Sequence, residues 1–305
     1  MNIFITGGSG FIGMHLREYF QKKYPAYKLF CPNSEELNLV DESAVDKFIY
    51  KNKINIIIHL ANRGGDKTNK QMNNIVEYNL RIFFNLVKHL KGLDRFLSFG
   101  SGAEYGKHRN IVDVKEDLES PFALDSYGFY KQIIAKYAVE CENIVHFRIF
   151  GVYGEYEDYR YKFISNSIVK NLLRLPIKIF QNAIFDYIYI EDLLKMIDYV
   201  FHNSMQYKIY NLSGGRHNKV DLLSLANIVN NCGKFKSKII LLNDGLNHEY
   251  SSNNDRILQE IGNFSFTSHQ VAIANIMQFY NNNLDKIDKE SILKDCYLES
   301  IQKQD

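Results

Sequence analysis

Tyr127 and Lys131, in Tyr127-Gly-Phe-Tyr-Lys131, are the residues whose types and spacing most invite chemistry. Four apart on a helix, their side chains share one face. An ammonium beside a phenol favours the phenolate, so the spacing predicts a tyrosine pKa drawn from ~10 toward neutrality. Such a phenol can give or take a proton during a reaction. Spacing alone does not single it out. Tyr19/Lys23 and Tyr24/Lys28 repeat it, in a chain with 21 tyrosines. Position along the chain has to decide.

The elements that would position the pair alternate. Asn2 to Thr6, Lys28 to Cys31, Asn55 to Leu60, Arg95 to Phe99 and Ile144 to Ile149 read as strands. Between them Phe11 to Lys23, Glu42 to Lys51, Ile75 to Lys91 and Tyr127 to Cys141 read as helices. This alternation predicts βαβ units around a parallel sheet buried on both faces. The expected fold is α/β: a Rossmann doubly wound parallel sheet over 1–155, rejoined by about 184–213. A smaller mixed α/β substrate lobe is expected over 156–305. Tyr153 to Lys162 suits a hinge, Phe185 to Ile190 a strand, Asp192 to His202 and Asp221 to Asn231 helices. The polar tail from Asn281 suits a peripheral helix or frayed end.

Thr6-Gly-Gly-Ser-Gly-Phe-Ile-Gly13 follows the first strand and opens the first helix. In that setting Gly7 permits a tight turn, Gly10 admits a pyrophosphate and Gly13 lets helix pack on strand. The helix N-terminus adds N–H donors and a favourable dipole, so the turn predicts a dinucleotide. The acid that would hold a ribose 2′-hydroxyl is missing from Phe30-Cys-Pro-Asn-Ser34. Ser9, Asn33 and Ser34 could bond a 2′-phosphate there, which favours NADP(H) and leaves NAD(H) possible.

The formal net charge is +2, with 24% charged and 46% hydrophobic residues. These values fit a soluble globular chain and give no basic footprint, so nucleic acid is not an expected partner. Cys31, Cys141, Cys232 and Cys296 are scattered and predict neither disulfides nor a metal site. No apolar run approaches the ~20 residues of a membrane span. No secretory leader is recognisable, and a cytoplasmic protein is expected.

The ordered motifs resemble the extended short-chain dehydrogenase/reductase family, in its nucleotide-sugar branch. His59-Leu-Ala-Asn62, Asn79, Ser98-Phe-Gly-Ser-Gly-Ala-Glu-Tyr-Gly106, Tyr127 with Lys131, and Arg148-Ile-Phe-Gly-Val-Tyr-Gly154 occur in family order. Asp186-Tyr-Ile-Tyr-Ile-Glu-Asp192 and Tyr210-Asn-Leu212 follow. The resemblance singles out Tyr127 and Lys131 over the two other pairs. It implies Tyr127 as proton donor to a sugar carbonyl and Lys131 as its support. Ser101 would hydrogen-bond the substrate oxygen. It also implies cofactor contacts from Gly7, Ser9, Gly10, Phe11, Ile12, Gly13, Asn33, Ser34, Leu39, Leu60, Ala61, Asn62, Asn79, Tyr127 and Lys131, the last bonding the nicotinamide ribose.

Dehydratases of this family place two carboxylates directly after the catalytic serine or threonine. Gly102 and Ala103 stand there instead. Glu36-Leu-Asn-Leu-Val-Asp41 and Ser165-Asn-Ser167 are similar to the GDP-L-fucose synthase branch, which epimerises and then reduces. Ala103 and Ile168 replace the cysteine and histidine of its epimerisation step. The resemblance therefore implies a 4-ketoreductase of a GDP-linked 4-keto-6-deoxy sugar or heptose, without 3,5-epimerase activity, serving surface polysaccharide synthesis. A 4-epimerase of the UDP-galactose type, recycling bound NAD, is the alternative. A non-catalytic dinucleotide-binding protein is a further one.

For the nucleotide diphosphate sugar, the expected contacts are Gly102, Ala103, Glu104, Tyr105, Lys170, Arg174 and Arg216. Phe185 stands where relatives carry an arginine, so one diphosphate contact must come from elsewhere, with Arg216 and Arg256 as candidates. Arg160 and Lys162 are further basic candidates, and Phe122 is expected near the sugar. His146 is expected to be structural. The family also implies a homodimer through the helices at 75–91 and 127–141, with Phe83, Phe84 and Tyr137 contributing.

Overall fold

The structure, a computed structural model, describes residues 1–64, 74–117 and 120–302. Six strands form the central sheet: β1 (Asn2–Thr6), β2 (Lys28–Phe30), β3 (Ile56–His59), β4 (Arg95–Ser101), β5 (Ile144–Ile149) and β6 (Ile209–Leu212). Their order is β2-β1-β3-β4-β5-β6, and every pairing is parallel. This is the doubly wound Rossmann sheet that the alternation predicts.

Helices cover both faces. On one side α2 (Glu42–Asn52), α3 (Ile75–Val87) and α4 (Ser126–Val139) bury Val45, Ile82, Phe83 and Ile134 against Phe4, Ile57 and Phe96. On the other, α1 (Phe11–Lys23) and α6 (Ile190–His202) pack Leu16, Phe20 and Leu193 on Ile3, Ile58 and Phe147, with α5 (Phe163–Leu172) joining the same core. Double coverage explains the uninterrupted apolar β3, whose four residues are all buried. Asp41 and Asp125 start α2 and α4 by accepting from Ala44 N and Gly128 N at 3.0 and 2.7 Å.

From β1 the chain moves to β2 on one side and then to β3 on the other. The crevice at the carboxyl ends of β1 and β3 is therefore a topological switch point, where open α/β sheets bind ligands. The remaining strands lie outside this sheet. Ile177–Asn182 pairs with Ile239–Leu246, while Val220–Asp221, Ile184–Phe185, Tyr250–Ser252 and Ile111–Val114 form a mixed four-stranded sheet. Ile111–Val114 thus leaves the nucleotide-binding half of the sequence to pair with its far end.

Three elements differ from expectation. The helix expected to Lys91 stops at Val87, and a 3-10 turn follows at Leu90–Gly92. The strand expected over Phe185 to Ile190 is divided, because Asp186 turns inward to accept from the Ser252 backbone and hydroxyl at 2.8 and 2.9 Å. Within the described residues the tail takes the helical alternative, but it is docked and not peripheral. Short helices at Lys289–Leu293 and Cys296–Gln302 bury Ile292, Tyr297 and Leu298 against the core. Among the described residues no helix is long and apolar enough to cross a membrane.

Candidate active site

The glycine turn is built for close approach. Gly7 has φ +70°, and a Cβ there would stand 2.7 Å from Ala61 N at the end of β3. A Cβ on Gly13 would lie 2.2 Å from Gly7 O, so helix and turn touch only because no side chain intervenes. Gly10 caps α1 without a side-chain hydrogen bond. The first N–H groups of α1 therefore lack a side-chain acceptor, as a pyrophosphate site requires.

Beside the turn lies a cleft of about 600 Å³. It gathers Gly7, Ser9, Gly10, Asn33, Ser34, Leu39, Leu60, Ala61 and Asn62, as expected for the adenosine end of a dinucleotide. The Asn33 side-chain oxygen is engaged by its own turn, accepting from Glu35 N and Glu36 N. Arg63 also lines this cleft, stacked 4.9 Å from the Tyr78 ring centre; no sequence motif pointed to it. Asn79 lies outside the cleft lining. Its amide accepts from Arg63 N and donates to Arg63 O, each at 2.8 Å, and so clamps the loop that carries Arg63.

Leu60 and Asn62 also border a second cleft, of about 350 Å³. Here Phe11 and Ile12 from α1 face Ser101, Tyr127 and Lys131. Ser101 ends β4 in the same cleft as Tyr127, and its hydroxyl accepts from Ala103 N at 3.2 Å. Lys131 is buried, 5.8 Å from the Tyr127 ring centre, and donates to Phe99 O at 2.5 Å. The Tyr19/Lys23 pair belongs instead to a scaffold network, in which Lys23 pairs with Asp198 at 2.6 Å.

The electrostatics overturn one expectation. Burial pushes the Tyr127 phenol up to about 12, with the Ser101 hydroxyl only partly opposing it. Burial likewise brings Lys131 down to about 8. Desolvation acts against both charged forms, and the Lys131 ammonium is spent on a carbonyl. Tyr127 is therefore held as a protonated phenol, a donor rather than a phenolate.

Glu104 and Tyr105 do not face the cleft. Glu104 accepts from Ser101 N at 2.9 Å, meets His146 Nε2 at 3.0 Å and accepts from Arg148 Nε at 2.8 Å. Burial opposes its charge, but His146 and Arg148 prevail and hold the carboxyl below the usual range. The Tyr105 hydroxyl donates to Asn211 Oδ1 at 3.0 Å and accepts from Arg148 at 2.7 Å. Ala103 and Ile168 are fully buried and outside the cleft lining. A Cβ on Gly102 would lie 2.4 Å from the Tyr250 hydroxyl, so glycine there makes room for Tyr250.

The expected basic contacts are dispersed. Lys170 is buried against Asp295 at 2.7 Å, and Arg216 pairs with Asp255 at 2.6 Å. Arg174 lines a separate cavity with Lys234 and Phe235. Arg160 chelates Asp158, and Arg256 pairs with Asp117. Phe122 is exposed under Lys136. Lys162 does line the cleft, together with Tyr187 of the Asp186–Asp192 motif and with Lys107, Glu157 and Tyr250, which the motifs did not mark. Among the described residues there is no cluster of metal-ligating side chains.

The NAD dependent epimerase/dehydratase family model matches residues 3–213. The chain belongs to that family. The glycine turn and the Ser101/Tyr127/Lys131 cleft lie within the matched residues. A dTDP-D-glucose 4,6-dehydratase of Dictyostelium discoideum is 24% identical over 250 residues, covering 69% of this chain and 57% of that protein. The chain spans about half the length of the first curated relatives it matches. Among solved structures, the NADP-bound GDP-L-fucose synthetase of Naegleria fowleri superposes with a TM-score of 0.80 at 16% identity, covering 93% of both chains. The NADP-bound GDP-mannoheptose C4 reductase of Campylobacter jejuni gives 0.77 at 18% identity, covering 92% of this chain and 98% of that one. These likenesses establish the fold.

Proposed function

We propose that this family member is an NADPH-dependent reductase of the C4 keto group of a nucleotide-linked 4-keto-6-deoxy sugar or heptose, with GDP as nucleotide and no 3,5-epimerase activity. The observation that carries the reading is the state of Glu104. It is the one carboxylate close behind Ser101, and it is locked on Ser101 N, His146 and Arg148. With Gly102 and Ala103 before it, no acid stands where a dehydratase needs one.

The cofactor, when bound, supplies hydride. Tyr127, kept protonated by burial, gives its proton to the carbonyl oxygen. Ser101, which lines the same cleft, hydrogen-bonds that oxygen. Ser9, Ser34 and Arg63 in the adenosine cleft support a 2′-phosphate and hence NADP(H). A homodimer is supported by Phe84 and Tyr137. They stand exposed and 5.1 Å apart across α3 and α4, whereas Phe83 is spent on the core.

Incubation with a GDP-4-keto-6-deoxyhexose or -heptose and NADPH in deuterated water tests the reading. Stoichiometric NADPH oxidation with no deuterium at C3 or C5 is expected. Deuterium at either carbon would remove the claim about epimerisation. Purified protein carrying NAD and turning over without net cofactor consumption would point to a 4-epimerase instead.

A further inference from the structure

The catalytic cleft holds two lysines that make no direct ion pair among the described residues, although the charge of Asp125 reaches Lys107 and that of Lys162 reaches Glu157. Lys107 follows the buried turn after Ser101, and its Nζ lies 5.9 Å from the ring centre of Tyr127 and 5.4 Å from that of Tyr250. Lys162 lines the same cleft from the N-terminal end of α5. Among the described residues neither side chain has an ion-pair partner. The nearby acids are already engaged. Asp125 caps α4 through Gly128 N, and Glu157 accepts the Ser165 hydroxyl at 2.6 Å.

These cations also repel one another. Withdrawal from water and the charge of Lys162 both hold the Lys107 pKa below the ordinary lysine value. Like charges brought together in a cleft are costly unless an anion joins them. Glu157 is the acid in the cleft lining, and burial pushes its carboxyl up to about 7, so it balances these charges only in part, while Lys131 is turned to Phe99 O and adds a third positive charge. Uncapped at its N-terminus, α5 also offers backbone donors beside Lys162.

We propose that Lys107 and Lys162 clamp the substrate's diphosphate beside the reacting sugar. This rests on the nucleotide-sugar reading above. It places the diphosphate contacts on this lysine pair and not on Lys170, Arg174, Arg216 or Arg256, which are paired or lie elsewhere. Two ammonium groups suit the two negative charges of a sugar-linked diphosphate, one on each phosphate, and tetrahedral oxygens can meet both at once. A carboxylate on the sugar shares the same anionic chemistry, so the test separates the two sources.

Binding of GDP, GMP and glucuronate to the NADPH-loaded protein is measured for wild type, Lys107→Met and Lys162→Met. Unchanged NADPH affinity and circular dichroism certify the fold of each variant. The wild type should bind GDP more tightly than GMP. Each variant should weaken GDP by roughly tenfold and abolish most of the GDP–GMP difference. GDP binding unchanged in both variants would overturn the clamp while leaving the nucleotide-sugar reading standing. Loss of glucuronate binding alone would reassign the pair to a sugar carboxylate. If GDP, UDP, CDP and dTDP all fail to bind the wild type, the nucleotide-sugar reading falls and the clamp with it.

Discussion

Two groups of charged side chains lie on either side of the Ser101 turn, and they are in opposite states. Behind the turn, Glu104, His146, Arg148, Tyr105 and Asn211 form a buried network whose partners are all within the protein. In front of it, Lys107, Lys162 and Glu157 line a cleft with no ion pair among them. The first group is complete without a ligand and can only hold the backbone of Ser101. The second is incomplete, which is the condition for binding something else. Proximity to a catalytic serine therefore does not identify a substrate contact; unsatisfied charge does.

The sharpest way to test this division is to remove one group from each side. Tyr127→Phe should lower kcat by about 10³-fold, the usual range for losing a general acid. Folding and NADPH affinity should be preserved, as measured by thermal melting and fluorescence titration. Retained turnover would mean that another cleft group gives the proton. Glu104→Ala should do the reverse. It leaves His146 and Arg148 buried without their acceptor, which costs about 3–5 kcal/mol of stability. The denaturant midpoint should fall accordingly. If the protein melted normally and lost only substrate affinity, Glu104 would belong to the cleft after all.

A third test lies on the cleft side. Burial raises the Glu157 carboxyl to about 7. A native pKa above the unfolded one means the folded state keeps a proton that the unfolded state has released. The resulting stability is present at low pH and is lost as pH rises from the ordinary glutamate range through about 7. Glu157→Gln stays neutral and can still accept from Ser165. It should match wild type in acid and exceed it above neutrality by up to about 3 kcal/mol, one pKa unit being ~1.4 kcal/mol. Equal melting curves at both ends would show that Glu157 is already compensated, contrary to its place among the unpaired groups.

The sequence shows one side of this comparison far better than the other. Five strands of the central sheet and the glycine turn are legible because their signals are local: apolar runs, helical periods and glycines a few residues apart; β6, four residues long, is marked only by the family resemblance. The Ser101, Tyr127 and Lys131 cleft follows from where β4 and α4 begin and end. Glu104 misleads because its partners arrive through sheet register. Ser98 stands opposite His146 and Gly100 opposite Arg148, more than forty residues away. Tyr250 reaches Gly102 from the far end of the chain, and nothing about its neighbours marks it. The docked tail escapes notice because helices of five and seven residues are too short to show a period. The phenol's pKa escapes for a different reason: four-residue spacing records a neighbouring charge but not the burial that outweighs it.

That last point can be measured. Lys131 sits near 8 and Tyr127 near 12, both through burial. Reduction needs the phenol protonated, which it is throughout the neutral range, and the ammonium beside it charged. As pH rises through about 8, Lys131 loses its proton, and kcat/KM should fall about tenfold per unit beyond that midpoint. Lys107, also held below the usual lysine range, would add to the loss through KM. A phenol with a pKa near neutrality would give a similar limb, so the rate profile alone does not separate the two. Tyrosinate absorbance does. The difference between wild type and Tyr127→Phe should show no phenolate while the rate falls. Phenolate appearing in step with the rate loss would restore the low tyrosine pKa that the four-residue spacing predicts, and would place Lys131 closer to the phenol than to Phe99 O in the working enzyme.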